Sequence, residues 1–143
     1  IDAFLKLYEE PHPISPLAKK AEEIDALFTA TTIGGVFSHL KTSSSEFAQE
    51  VLETLKQRSS TSLAVTFEQM SRWKTLDDFA EVMSMEFDMS QHFINEPDFF
   101  EGIRAVIIDK DQTPNWSPKD LKDVTKEQVV AYFTKQDIPL DIG

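Results

Sequence analysis

Apolar residues recur along most of the chain at i, i+3 and i+4, and no stretch sustains the strict alternation of a half-buried strand. With only 4 glycines to break the pattern, the chain reads as all-α. Ser15-Pro16 supplies a cap and a first-turn proline, and Leu17, Ala21, Ile24 and Leu27/Phe28 share one face, predicting a helix over 16–28. Thr31-Thr32 caps a short second helix carrying Ile33, Val36, Phe37 and Leu40. Gly34-Gly35 weakens it by roughly 1 kcal/mol per glycine. Ser43-x-x-Glu46 has capping-box spacing ahead of Phe47, Val51, Leu52 and Leu55, with Gln49, Glu50, Glu53 and Lys56 on the opposite face. Ser59-Ser60-Thr61-Ser62 interrupts that stripe and caps a fourth helix bearing Leu63, Phe67, Met70 and Trp73, close enough in sequence to predict that helices three and four pack near each other.

Thr75-x-x-Asp78 opens the longest candidate, over 76–94, where apolar residues cover so much of the circumference that a central position packed on several sides is expected. Asn95-Glu96-Pro97 starts a sixth helix over 97–108, in which Gly102 predicts close approach by another backbone. A proline-rich loop follows at Thr113–Pro118, and Thr125-x-x-Gln128 caps a terminal helix with Val129, Val130, Tyr132 and Phe133. The organisation expected is an extended lead-in over 1–15, rich in proline at Pro11 and Pro13, one helical domain over 16–137 and a fraying tail over 138–143.

Composition narrows the chemistry more than it names it. At 143 residues and 41% hydrophobic content the chain is large enough for one ordinary core. The net charge of −11 repels phosphate backbones and anionic membranes, and the cations around Arg104 and Lys119 alternate with acids, so no direct nucleic-acid or membrane partner is expected. Without cysteine there is no disulfide, thiolate metal site or cysteine nucleophile. No apolar run approaches the roughly 18 residues of a membrane span, and a soluble chain is expected. Because the chain opens on Ile1 rather than Met, a leader or an upstream domain is also expected.

The candidate sites are sparse. His12, His39 and His92 stand apart, outside any zinc-ligand spacing, and read as surface or capping residues. No nucleophile elbow, P-loop or dinucleotide fingerprint occurs, and Ser43–Ser45 and Ser59–Ser62 read as caps. Asp77, Asp78, Glu81, Glu86 and Asp88 read as solvated faces or caps, and Met70, Met83, Met85 and Met89 as adaptable core filling. Glu101 and Arg104 are spaced for an i, i+3 ion pair. Lys110, just past the sixth helix, faces two readings, a partner for the last carbonyls or a cation for an external phosphate.

Longer stretches carry a family resemblance. Ser60-Thr61-Ser62-Leu63-Ala64-Val65-Thr66 with Gln69, Met85–Gln91, Asp98–Ala105, Ile108–Gln112 and Pro114-Asn115-Trp116, in this order, resemble the C-terminal part of the 3-hydroxyisobutyryl-coenzyme A hydrolase family, a thioesterase branch of the crotonase superfamily. The likeness runs over essentially the whole chain and is most specific between 60 and 121; Ser59-Ser60 departs from the family's usual Ser-Pro. It implies an upstream crotonase core that holds the oxyanion-hole amides and catalytic carboxylates, so no catalytic residue is assigned here. It also implies an acyl-coenzyme A substrate for the complete protein and no separate cofactor. Lys110 is the nearest match to a basic side chain directed at the coenzyme A phosphates. Self-association of the segment alone is expected, as is a mitochondrial matrix location in a eukaryote or a cytoplasmic one in a bacterium. The rivals are a catalytically silent homologue serving as a structural subunit, as in mitochondrial small ribosomal subunits, and another crotonase such as an enoyl-coenzyme A hydratase or isomerase.

Overall fold

In the computed structural model, which describes Phe4, residues 15–137 and Leu140, every regular element among the described residues is helical. Most of the expected lead-in and tail lies outside these residues. A tight 3₁₀ turn at Ala18–Lys20 leads into α1 (Ala21–Phe28), followed by α2 (Ile33–Thr42), α3 (Glu46–Lys56), α4 (Ser60–Trp73), α5 (Phe79–Phe93), α6 (Pro97–Ile103) and α7 (Lys126–Ala131). The last turns of α6 widen into a π-helical segment, Arg104–Ile108, closed by the Asp109 amide donating to the Arg104 carbonyl at 2.8 Å.

Side-chain caps set most of the helix starts, and the structure moves two of them. Ser43 does not cap α3: its amide donates to the His39 carbonyl at 3.1 Å and ends α2. The cap is Ser45, whose Oγ accepts from Ala48 N at 3.3 Å. Likewise Thr75 closes α4 by donating to the Arg72 carbonyl at 2.7 Å, and Asp78 caps α5 by accepting from Glu81 N at 2.8 Å. In both places two oxygen-bearing residues compete, and the preceding helix claims the first. Thr32 and Ser59 cap α2 and α4, and Thr125 with Gln128 forms the reciprocal capping box of α7. The first helix is shorter than its pattern suggests, with a 3₁₀ turn in place of α-helix before Ala21.

Two apolar clusters hold these elements. Leu27 of α1, Val36 and Leu40 of α2, and Ala48 and Leu52 of α3 form the first, with Phe67 of α4 packed against it. Leu40 is fully enclosed, so its truncation to Ala removes about 2–5 kcal/mol. Gly35 admits the α1–α2 turn here, since a Cβ at 35 would stand 2.8 Å from the Cβ of Ala30. The second cluster joins Val65 of α4, Met89 of α5 and Tyr132 just beyond α7, flanked by Met85, Phe93, Val129 and Phe133. The Phe93 and Tyr132 rings meet at 4.6 Å between centroids.

These clusters correct the expectation of a central α5. Val65 and Phe67 lie about 200° apart around α4, so α4 presents one side to each cluster and is the shared wall. On α5 only Met89 is buried, and Phe79 is 71% exposed. The circumferential apolar pattern of α5 thus exceeds what this chain covers. Helix α4 meets α2 more closely than its sequence neighbour α3, and Phe67 packs against the cluster to which both contribute.

Candidate functional site

The strongest concentration of polar chemistry lies where α6 meets the loop 109–117. Arg104 is gripped by Glu101 in a two-pronged pair, Nε to Oε2 at 2.9 Å and Nη2 to Oε1 at 2.8 Å. Its Nη1 donates to Asp109 Oδ2 and Asp111 Oδ2, both at 2.7 Å, and Nη2 to the Thr113 carbonyl at 3.3 Å. The ion pair expected from the 101/104 spacing therefore forms as the hub of a larger clasp. Two residues in left-handed backbone conformation make it possible: Lys110 (φ 57°) and Gln112 (φ 56°) alternate with Asp109 and Asp111, turning the loop so that both carboxylates reach one guanidinium. A side chain at such φ values costs of order 1 kcal/mol or more at each residue, which the clasp offsets.

The carboxylates also hold the loop backbone. Glu101 Oε1 accepts from Asn115 N at 2.6 Å and Asp111 Oδ1 from Thr113 N at 2.9 Å. One turn earlier on α6, Asp98 accepts from Ser117 N at 2.8 Å and from Ser59 Oγ at 2.6 Å, joining loop, α6 and the cap of α4. Ser60 donates to the Lys119 carbonyl at 3.0 Å, and Trp116 Nε1 to the Gln57 carbonyl at 2.9 Å. Ser59 and Ser60 are both buried, so the pair does more than cap. Asp98 and Trp116 carry no site signal in sequence beyond the motif that contains them; their partners lie 39 and 59 residues away.

The electrostatics make this a clamp and a poor proton-transfer site. The Arg104 side chain, then the Asn115 amide, hold the Glu101 carboxyl down at about 2. The Asp111 carboxyl is lowered by Arg104 and the Thr113 amide, and the Arg104 guanidinium is held still more firmly protonated, first by Glu101. Carboxylates so stabilised accept protons weakly near neutral pH.

Other sequence candidates scatter. Lys110 is exposed and takes part in no ion pair among the described residues; its place at the helix exit is set by its own left-handed turn. His39 bonds the Leu27 carbonyl through Nδ1 at 3.2 Å, His92 lies 5.8 Å from the Tyr132 ring, and His12 lies outside the described residues. Among the described residues no cluster of His, Asp and Glu is arranged to hold a metal ion, and no helix is long and apolar enough to cross a membrane. Met85 and Met89 fill core as expected, whereas Met70 is half exposed and, with Trp73 and Phe79, lines an open apolar groove between α4 and α5. Gly102 meets the Trp116 side chain, not a crossing backbone: Cη2 would stand 3.4 Å from a Cβ there.

These 143 residues match the model of the enoyl-CoA hydratase/isomerase family over residues 1–133, and the chain belongs to that family. It is 40% identical over 118 residues to the mitochondrial 3-hydroxyisobutyryl-CoA hydrolase of Xenopus laevis, covering 82% of this chain and 30% of that protein. The Homo sapiens protein of the same name is 40% identical over 119 residues, with the same two coverages. Among solved structures, a carnitinyl-CoA dehydratase from Mycobacterium thermoresistibile superposes with a TM-score of 0.86 at 32% identity, over 93% of this chain and 38% of its own. An enoyl-CoA hydratase from Rhodobacter sphaeroides 2.4.1 gives 0.82 at 31%, over 89% and 37%. The chain thus spans 30% to 38% of the length of these relatives.

Proposed function

We propose that this chain is the C-terminal helical part of a 3-hydroxyisobutyryl-CoA hydrolase, a thioester hydrolase of valine breakdown, and that it packs on the catalytic core and helps shape the acyl-CoA pocket. The observation that carries this reading is the bare end of α6. Val106, Ile107 and Ile108 are 53%, 63% and 67% exposed in succession, immediately before the loop that Arg104 clamps. Three adjacent uncovered aliphatics on a rigidly held element are a surface made to be covered. The bare Phe79 and Phe100 support the same reading.

In this reading the chemistry belongs to the core, where backbone amides polarise the thioester carbonyl and stabilise the oxyanion. The clamp on Arg104 fixes the exit of α6 against that core, and Lys110, raised on its left-handed turn, meets the coenzyme A phosphates. The protein acts in the mitochondrial matrix of a eukaryote or the cytoplasm of a bacterium. A second reading, an enoyl-CoA hydratase, draws support from the likeness to the Rhodobacter enzyme, at lower identity than the hydrolases.

The test is turnover by the complete protein, with this 143-residue chain in parallel. Release of free coenzyme A from 3-hydroxyisobutyryl-CoA by the complete protein, and none by the chain, is expected. Hydration of a 2-enoyl-CoA without thioester cleavage would replace the hydrolase by the hydratase; neither activity in a folded complete protein would leave a scaffold.

A further inference from the structure

A second feature lies apart from the Arg104 clasp. An open trough of about 930 Å³ runs between α2, α3, α4, the turn at Leu121–Asp123 and α7. Its lining includes the half-buried Phe37, Leu55, Phe67 and Val129. Six exposed cations also line it: Lys41, Lys56, Arg58, Lys119, Lys122 and Lys126. Among the described residues only two carboxylates, Glu68 and Asp120, belong to the same lining, and Glu68 is already engaged by Arg72 at 2.8 Å. Lys56 pairs with Glu53 at 2.6 Å and Lys122 loosely with Asp120 at 3.8 Å. Lys41, Arg58, Lys119 and Lys126 have no ion pair among the described residues.

In a chain of net charge −11 with 14 basic residues, bringing six of them to one trough from separate elements is a marked segregation of charge. The sequence hides it, because the six are spread from Lys41 to Lys126, and Lys119, Lys122 and Lys126 are each followed directly by an acid. Only the packing of α2 and α7 on either side of α4 gathers them. Like charges at such density repel one another and attract an anionic partner.

We propose that this trough is a docking groove for an acidic amphipathic helix of a protein partner, whose apolar face lies on Phe37, Leu55, Phe67 and Val129 while its carboxylates meet the cationic rim. Charge complementarity selects an anion, and the apolar residues select one that carries apolar side chains. A nucleic acid fits less well: it would extend past the trough onto an acidic surface, and Phe37 and Phe67 are half-buried and poorly disposed for stacking. This inference is independent of the acyl-CoA reading.

The experiment is fluorescence anisotropy of the complete protein with a labelled helical peptide of about 20 residues, leucine at i, i+3, i+4 and i+7 and glutamate elsewhere. Binding is expected, weakening about tenfold from low to high salt. The triple variant Arg58→Glu/Lys119→Glu/Lys126→Glu is expected to abolish it, and Lys135→Glu, outside the trough, to leave it unchanged. Should the triple reversal fold poorly, Arg58→Gln/Lys119→Gln/Lys126→Gln is expected to weaken binding with an unchanged melting temperature. No binding, equal binding of the lysine-for-glutamate peptide, or full affinity in a folded triple variant would overturn the proposal. So would displacement of the peptide by polyphosphate as effective as by unlabelled peptide, which would mark a general anion site, or displacement by free coenzyme A, which would return the trough to substrate binding.

Discussion

Trp116 lies across Gly102. Its Cη2 comes within 3.4 Å of the position a Cβ would occupy, while its indole N–H donates to the Gln57 carbonyl at 2.9 Å. One side chain thereby ties the loop to both α6 and the end of α3. The distance is an ordinary van der Waals contact, so a methyl group fits. Gly102→Ala is expected to raise stability by about 0.5–1 kcal/mol through helix propensity, whereas Gly102→Leu displaces the indole and lowers it. Urea unfolding of both variants measures this, and a destabilised alanine variant would mean that the indole cannot yield even to a methyl group.

Arg104 holds the loop through geometry as much as charge. Arg104→Lys keeps the cation but lacks the planar fork that serves Glu101, Asp109 and Asp111 together. Hydrogen exchange at the Thr113 and Asn115 amides, which bond to Asp111 and Glu101, is expected to quicken in Arg104→Lys and further in Arg104→Ala. Unchanged exchange would show that the loop is held by its other bonds.

The acid limb of stability carries the same signature. Glu101 titrates at about 2 in the folded chain against an ordinary 4.5, so its contribution is complete above about 4.5 and is lost as pH falls from there to about 2. Glu101→Gln is expected to flatten the pH dependence of the urea midpoint in that window and to lower the midpoint at neutral pH.

The alkaline limb belongs to Tyr132. Burial first, then the nearby Glu96 and Asp98 charges, push its hydroxyl up from 10.0 to about 12. The unfolded chain therefore loses this proton first, and stability falls as pH rises from about 10 to about 12. Tyr132→Phe is expected to lessen that fall while keeping the ring contact with Phe93; an unaltered alkaline limb would assign the fall to other groups.

Ser60 bonds the Lys119 carbonyl from a buried position at the start of α4. Ser60→Ala is expected to cost about 1 kcal/mol. Ser60→Pro, the residue usual in the family, suits the first turn of a helix but cannot make this bond, so it is expected to recover part of that loss. Thermal unfolding separates the two, and identical melting temperatures for all three proteins would remove the bond from the account.

Much of the helical reading follows from local rules that act within a few residues. The starts at Thr32, Ser59, Pro97 and Thr125 are set by oxygen caps or a first-turn proline in contact with their own turns. The starts at Ser43 and Thr75 failed because a second competent cap stood two or three residues on, and the preceding helix ended on the first. The expected centrality of α5 failed for another reason. An apolar circumference states how much surface needs cover but not whether this chain supplies it.

The sequence by itself determined the all-α class, most of the helix starts, the Glu101–Arg104 pair and the resemblance to the hydrolases, since all of these reside in short-range spacing or in contiguous motifs. Tertiary structure alone decided that α4 divides two cores, that Asp98 and Trp116 bind the loop to partners 39 and 59 residues distant, and that cations spread from Lys41 to Lys126 converge on one trough. Those relationships depend on how helices pack, and packing is set by the shapes of all the buried side chains together rather than by any local pattern.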